Sequence, residues 1–371
     1  MRFPEFSGEW EEHTLSEYLE FKNGLNPDAK RIGSGLPFIS VMDILSEGVI
    51  NYDNIRGKVN ATEKEIECFG VKDGDLLFQR SSETLEDVGR ANVYMDNRTA
   101  IYGGFVIRGR KIGNYDPLFF KYLLATPLAR KRTCRMGAGA QHFNIGQEGL
   151  SKISLYFPSI EEQRKIAEFL SLIDERIATQ NKIIEKLQSL IKGLRVCCMQ
   201  RVYGNNVYLS EIAQIYQPQT ISSTELTEDG FLVYGANGII GKYKDYNHET
   251  EQICITCRGN TCGMVNYTKP MSWITGNAMV INTDKYQDKV CKRYLYHYLS
   301  AYNFNSIISG SGQPQIVRTP LEKLKITLPT ISEQKQKAII FDKIQDKIDI
   351  NHKVLNLYIG QKQYLLRQMF I

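Results

Sequence analysis

Apolar side chains recur along one stretch of the chain at Ile166, Leu170, Ile173, Ile177, Ile184, Leu187, Ile191 and Leu194, with Gln180 filling the gap in the series. The steps alternate four and three through four heptads, the spacing of a coiled-coil seam. A second stretch keeps the same register with Phe341, Ile344, Ile348, Leu355, Tyr358, Leu365 and Met369, with Asn351 as its polar interruption and Lys337 and Lys362 as imperfect outer positions. An offset of 171 superimposes the two without a gap, setting Pro158 on Pro329, Glu162 on Glu333, Gln163 on Gln334 and Gln180 on Asn351. Each copy opens with proline, a hydroxyl residue as N-cap (Ser159 or Thr330) and glutamate three residues on, which predicts a capping box at the start of each long helix. A polar residue buried in a seam fixes register at a cost in stability. Paired antiparallel about a pseudo-twofold axis, the helices would bring Gln180 to Asn351 and Ile166 near Leu365. Two unrelated amphipathic helices leave the shared polar position unexplained.

The segments ahead of the helices match more loosely. Thr14-Leu15-Ser16-Glu17-Tyr18 resembles Tyr208-Leu209-Ser210-Glu211-Ile212. Short β-like runs follow: Leu36–Ser40, Asp75–Phe78 and Gly104–Ile107 in the first, Phe231–Tyr234, Gln252–Ile255 and Ala278–Ile281 in the second. A helical piece comes next, Pro117–Arg130 and Lys292–Ser306, then a glycine loop, Gly137-Ala-Gly-Ala-Gln141 and Gly310-Ser-Gly-Gln313, in which the first has one residue more. Leu150-Ser-Lys-Ile153 and Leu321-Glu-Lys-Leu324 lead into the helices. The glycines of both loops are expected at φ > 0 in tight turns. The order is globule, long helix, globule, long helix. The predicted fold class is α+β: two similar globular α/β domains, 1–157 and 204–328, joined by long helices 158–203 and 329–371 in an antiparallel coiled coil.

Composition narrows the function classes. With 371 residues, 42% of them hydrophobic and 23% charged, the chain can bury two ordinary cores. No apolar run approaches the roughly 18 residues that span a bilayer, and the first residues lack the apolar region of a signal peptide, so a cytoplasmic protein is expected. The eight cysteines would stay reduced there. Cys254 and Cys257, three apart in a strand-like run, point to opposite faces rather than to one metal ion; no metal is expected. A net charge of +5 with a pI near 8.6 is compatible with a polyanionic partner.

The duplicated plan, the Pro-x-x-x-Glu-Gln opening of each long helix, the glycine–glutamine loop before it and the Leu-Ser-Glu opening of each globule resemble type I restriction–modification specificity subunits, the HsdS family, over essentially the whole chain. The resemblance implies target-recognition domains that each read one half of a bipartite site in double-stranded DNA. The coiled coil would act as a ruler between them; a helix of about 40 residues is roughly 60 Å long. It also implies docking of methylation subunits, two of them, and of motor–nuclease subunits. S-adenosylmethionine, ATP and Mg²⁺ would belong to those partners and no cofactor to this chain. The runner-up is a DNA-binding or interaction scaffold of the same architecture outside restriction.

No catalytic residues are expected. Asn-Pro-Pro-Tyr and G-x-x-x-x-G-K-[ST] signatures do not occur, and Glu333-Gln-Lys335 lies in a capping turn. Base reading calls for Arg, Lys, Asn or Gln at base edges, with Lys, Arg, Ser and Thr on phosphates. Candidates in the polar loops are Lys30, Arg31, Arg80, Ser81, Ser82, Arg90, Gln141 and His142 in the first globule. In the second they are Asn237, Lys242, Arg258, Asn260, Gln313 and Gln315. Arg80 and Arg258 stand out because both follow a β-like run in the corresponding part of each globule.

Overall fold

The computed structural model describes residues 1–200, 202–236, 238–310 and 312–370. The chain divides into two compact units, Met1–Asn181 with Val354–Ile371, and Lys182–Lys353. Each unit combines a head of short strands with a stretch of each long helix.

The first unit runs β1 (Glu11–Thr14), β2 (Leu19–Asn23), β3 (Ile32–Ile39), α1 (Val41–Ile44), β4 (Gly57–Val59), α2 (Glu63–Phe69), β5 (Gly70–Val71), β6 (Leu76–Gln79), β7 (Ser81–Ser82), β8 (Ala91–Val93), β9 (Ala100–Tyr102), β10 (Val106–Lys111), α3 (Pro117–Ala125), α4 (Pro127–Cys134), β11 (Phe143–Asn144), α5 (Gln147–Ser151) and β12 (Ser154–Phe157), then enters α6 (Ile160–Gln200). Its principal sheet has the antiparallel order β2-β10-β6-β8. A second sheet has the order β4-β3-β9-β5, in which β3 and β9 are parallel, and β1 pairs with β12. The run Leu76-Leu77-Phe78 is apolar throughout because both of its faces are covered. Leu76 and Phe78 join Phe119, Phe120 and Leu123 of α3 in one core, while Leu77 turns into another with Ile39, Tyr102 and Val106.

The helical piece expected over 117–130 is two helices. Pro127 excludes the preceding residue from the helical region, and Thr126 is extended at φ −67°, ψ 152°. Its hydroxyl serves both ends, donating to the Leu123 carbonyl (2.7 Å) and accepting from the Ala129 N–H (3.3 Å).

The second unit runs β13 (Asn205–Tyr208), β14 (Gln214–Tyr216), β15 (Phe231–Gly235), β16 (Gly238–Tyr243), β17 (Ile253–Thr256), β18 (Val265–Tyr267), β19 (Trp273–Ile274), β20 (Ala278–Asn282), α7 (Lys292–Ala301), α8 (Arg318–Glu322), β21 (Lys325–Leu328) and α9 (Ile331–Gln368), whose closing stretch belongs to the first unit. Its principal sheet, β14-β20-β17-β18, repeats the first head's order strand for strand. The sheet β16-β15-β19 repeats β4-β3-β9, including the parallel pair, and β13–β21 repeats β1–β12. The helix expected over 292–306 stops at Ala301: Tyr302 is extended, and a 3-10 turn with buried Phe304 follows.

In the first unit the opening of α6 packs on the close of α9. Ile166, Leu170, Ile173 and Ile177 share a core with Leu365 and Met369. Asp174 pairs with Lys362 at 2.5 Å, and Arg176 lies over the Tyr358 ring. Moving forward on α6 therefore moves backward on α9, as expected of an antiparallel coiled coil. In the second unit Leu187, Ile191 and Leu194 share a core with Ala338, Phe341, Ile344 and Ile348, and Lys337 Nζ donates to the Cys198 carbonyl (3.4 Å). Gln180 is buried and Asn351 half-buried.

The helix openings differ in one respect from the expected pair of capping boxes. Thr330 and Glu333 form one: the Thr330 N–H and hydroxyl donate to Glu333 Oε2 (3.0 and 2.7 Å), and the Glu333 N–H donates to Thr330 Oγ1 (3.4 Å). At the first opening the Glu162 N–H donates to Ser159 Oγ (3.3 Å), but the Glu162 carboxylate is taken by a two-pronged pair with Arg2 (2.7 and 2.6 Å). The neighbouring glutamines play one role in both copies. Gln163 donates to the Pro158 carbonyl (3.0 Å) and accepts from the N–H of Asp116, the N-cap of α3 (3.1 Å). Gln334 donates to the Pro329 carbonyl (3.0 Å) and accepts from the N–H of Cys291, the N-cap of α7 (2.8 Å). Each Glu-Gln opening thus latches a long helix to its head.

Candidate nucleic-acid interface

Some of the polar loops singled out from sequence form a short arm of three paired segments in each head. In the first, β7 follows β6 and pairs with β11, setting Ser81 opposite Asn144 and Ser82 opposite Phe143. The Ile145 N–H donates to the Arg80 carbonyl (3.0 Å), and Ala138 and Asn144 exchange backbone bonds at 2.9 Å. In the second head Arg258 lies opposite Gln315. The Ile316 N–H donates to the Cys257 carbonyl (3.0 Å), and Ser309 and Gln315 exchange backbone bonds at 2.9 and 2.8 Å.

The ladder and the backbone angles correct the expected glycine loops in length and in φ. The glycine loops are of equal length: Ala138 matches Ser309, Gly139 matches Gly310, His142 matches Gln313 and Asn144 matches Gln315, at the same offset of 171 that relates the long helices. Only Gly139 (φ +143°) and Gly310 (φ +92°) take the left-handed region. A Cβ there would lie 2.0 Å from the His142 carbonyl oxygen or 2.4 Å from that of Gln313. Gly137 and Gly312 are not at positive φ; a Cβ on Gly137 would instead meet Val88 at 2.8 Å, while Gly312 faces open space. The two arginines occupy neighbouring rather than matching positions of the ladder. Arg80 matches Cys257, and the counterpart of Arg258 is Ser81, because the ladder registers one residue further along than the ends of the β runs suggest.

The candidates differ in what already occupies them. Ser81 Oγ donates to Asn144 Oδ1, and Ser82 Oγ accepts from the Thr84 N–H (3.3 Å). Gln141 and His142 are exposed at the turn of the arm. Arg80 is half-buried and donates weakly to the Gly104 carbonyl (3.3 Å). Arg90 is exposed and paired with Asp87 at 2.6 Å. Lys30 is exposed in the 3-10 turn before β3, whereas Arg31 binds Glu65 with both prongs and the Asn60 carbonyl at 2.7 and 3.0 Å. That ion pair holds the Glu65 carboxyl down to about 2 and ties the turn to α2. Lys242 on β16 reaches Asp229 at 3.2 Å. Arg258, Asn260, Gln313 and Gln315 are exposed and make no side-chain hydrogen bond or ion pair among the described residues. Asn237 lies outside the described residues. The arms therefore gather Ser81, Ser82, Gln141 and His142 in one head, and Arg258, Asn260, Gln313 and Gln315 in the other. Asn144, not anticipated from sequence, is the member that the 171 offset from Gln315 points to.

The family model described as "Type I restriction modification DNA specificity domain" matches residues 7–189 and 205–357. The chain belongs to this family. As a type I specificity chain it is 24% identical over 410 residues to the type I restriction enzyme MjaVIII specificity subunit of Methanocaldococcus jannaschii, covering 95% of this chain and 89% of that one. Its fold is similar to the type I S subunit from M. genitalium, with a TM-score of 0.64 and 17% identity over 98% of this chain and 96% of the other. It is also similar to a chain solved in work on complex assembly and conformational transition of the type I system, with a TM-score of 0.58 and 14% identity over 97% of both chains.

Cys254, Cys257, Glu333 and His297 of this specificity chain are taken up by the fold. Among the described residues no three His, Cys, Asp or Glu side chains gather as a metal site requires, and no helix is long and apolar enough to cross a membrane. Cys254 and Cys257 face different cores, and burial pushes the Cys254 thiol up to about 12. Glu333 is spent on its cap. His297, with 0% exposure, bridges Arg195 of α6 (3.2 Å) and Asp342 of α9 (2.8 Å), so it fastens α7 to both long helices out of reach of any external ligand.

Proposed function

We propose that this chain is the DNA sequence-specificity subunit of a type I restriction–modification complex and acts in the cytoplasm. Heads 1–157 and 204–328 are its target-recognition domains, each reading one half of a bipartite site in double-stranded DNA. The long helices, 158–203 and 329–371, set the separation of the half-sites. Two methylation subunits and motor–nuclease subunits dock on this chain and bring S-adenosylmethionine, ATP and Mg²⁺; the chain itself supplies no catalytic group. The observation that carries the reading is the repetition of one strand order in two heads, each latched by a buried glutamine to a long helix and each presenting an exposed polar arm. A latch that fixes head to helix turns helix length into half-site spacing.

Inserting one heptad into each helix beside Gln180 and Asn351 tests that reading. Seven residues add about 10 Å of helix, equivalent to about three base pairs at 3.4 Å per step. The expected result, read by mapping modified bases in DNA of a host expressing the chain with its methylation subunits, is a bipartite motif whose half-sites are unchanged and whose spacer grows by that amount. A motif without a gap, or a spacer that ignores the insertion, counts against it.

A further inference from the structure

The two heads build the same arm from different side chains, and the difference bears on what each arm can read. In the first head Ser81 and Asn144 are bonded to each other across the ladder. At the matching positions of the second head stand Arg258 and Gln315, both exposed and without a side-chain partner among the described residues. Directly opposed residues of an antiparallel pair project from one face, with Cβ atoms about 5 Å apart. Here Gln315 lies between Arg258 and Ser309, and base edges in the major groove of B-DNA are read by side chains projecting from such short β elements. There, arginine presents a fork of donors that fits guanine O6 and N7, and a glutamine amide presents a donor and an acceptor that fit adenine N7 and N6.

A phosphate-holding element concentrates cations. This arm instead carries one cation among three exposed amides, Asn260, Gln313 and Gln315. Gly259 at φ +86° and Gly310 at φ +92° turn the backbone, and the Gly259 N–H donates to the Pro314 carbonyl (3.0 Å). Backbone bonds on either side of the Arg258–Gln315 pair hold the two residues side by side, which spares an ordering step on binding.

The geometry points to the arm of the second head as a base-reading element in which Arg258 selects a guanine and Gln315 the adenine of an adjoining base pair. The inference rests on the reading of the chain as a DNA specificity subunit and adds the residues and bases of one half-site.

The test expresses the full chain with the methylation subunits of its host and maps modified bases for the wild type, Arg258→Ala, Arg258→Lys, Gln315→Ala and a deletion of the gene. The expected result is that both Arg258 variants relax the same guanine position in one half-site by roughly 10- to 100-fold. Lysine keeps the charge but not the fork. Gln315→Ala relaxes the neighbouring position, and the other half-site stays as selective as before. The assignment is overturned if the motif is unchanged in the Arg258 variants. Uniformly lower modification in Arg258→Ala that Arg258→Lys restores also overturns it, since that is the signature of a phosphate contact. If Arg258→Ala abolishes modification altogether, the lysine variant decides, and an unaltered motif there is refuting. Deletion that leaves modification intact would instead bring down the specificity-subunit reading, and the arm assignment with it.

Discussion

The glutamine latch makes a strong quantitative claim about the fold. Gln334 is 1% exposed and holds three backbone groups: the Cys291 N–H at 2.8 Å and the Pro329 and Lys289 carbonyls at 3.0 and 3.2 Å. Gln334→Leu keeps the volume and removes all three bonds. An unpaired buried backbone group costs about 1–3 kcal/mol. Among the described residues the half-buried Cys291 N–H has no other acceptor, and the Pro329 carbonyl is buried. Two such groups, offset in part by the apolar surface that leucine buries, leave a net loss of about 2 kcal/mol. For a unit of this size that lowers the melting midpoint by about 4–8 °C. Calorimetry of the full chain measures the shift, and hydrogen exchange at the first turn of α7 locates it. Gln336→Leu, two residues on and exposed, is the control and should change little. A midpoint for Gln334→Leu no lower than for Gln336→Leu would refute the latch. Gln163→Leu should produce the matching loss in the first unit, where Asp116 and Pro158 are the groups left unpaired.

Three other outcomes are expected. Burial pushes the His297 imidazole below its usual 6.5 against the pull of Asp342, with Arg195 and Arg293 opposing protonation. The unfolded chain therefore binds a proton that the fold excludes, and stability falls as pH drops from 6.5 through the depressed value; His248, also lowered by burial, adds to the slope. Urea midpoints between pH 7.5 and 5 should fall less steeply for His297→Gln, and equal slopes would contradict the assignment. Arg2→Ala strands the Glu162 carboxylate, 1% exposed, without its fork, so the midpoint should drop and Glu162→Gln should recover part of it; additive single effects would show no coupling. Gly310→Ala places a Cβ 2.4 Å from the Gln313 carbonyl oxygen at φ +92°, a strain of about 1–2 kcal/mol confined to the arm. It should weaken discrimination in one half-site, while Gly312→Ala, facing open space, leaves that discrimination unchanged.

Much of this architecture is legible in the sequence, for identifiable reasons. The long helices announce themselves because a seam must repeat every three or four residues to stay buried, and Ile166 to Leu194 does so over several turns. Central strands such as Leu76–Gln79 and Ile253–Thr256 are visible because two covered faces demand a continuous apolar run. The order of those strands is not visible, since pairing partners leave no mark on either sequence. Arg2 is missed because its partner, Glu162, lies 160 residues away, and a capping role for that glutamate satisfies the local pattern equally well. The Glu-Gln signature is plain, but the glutamines bind backbone groups, which carry no side-chain signal. Gly137 misaligns the loops because glycine serves two purposes there: Gly139 supplies a backbone conformation, whereas Gly137 merely clears space beside Val88 and Leu85. Composition alone does not separate those uses.

The way the repeat drifts separates frame from reader. The counterparts Leu15 and Leu209 lie 194 apart, Ser81 and Arg258 lie 177 apart, and from Ala138 and Ser309 onward the offset stays at 171. The largest change falls between β2 and β6, where the first head inserts α1, α2 and β5 beside a sheet whose order is otherwise common to both heads. Length changes are tolerated there because loop closure costs grow only slowly with loop length. From the arm into the long helices no change of length is seen, since an inserted residue would turn every seam position off its face. Within the arm, by contrast, Arg258 and Gln315 are exposed and join no core, so exchanging Arg258 for serine or Gln315 for asparagine should cost within about 0.5 kcal/mol. A chain built this way can alter what it reads at little cost to its fold, whereas alterations at the latch or the seam must be compensated. Different pairs at matching arm positions, Ser81 with Asn144 and Arg258 with Gln315, on one repeated frame are what that asymmetry of cost permits.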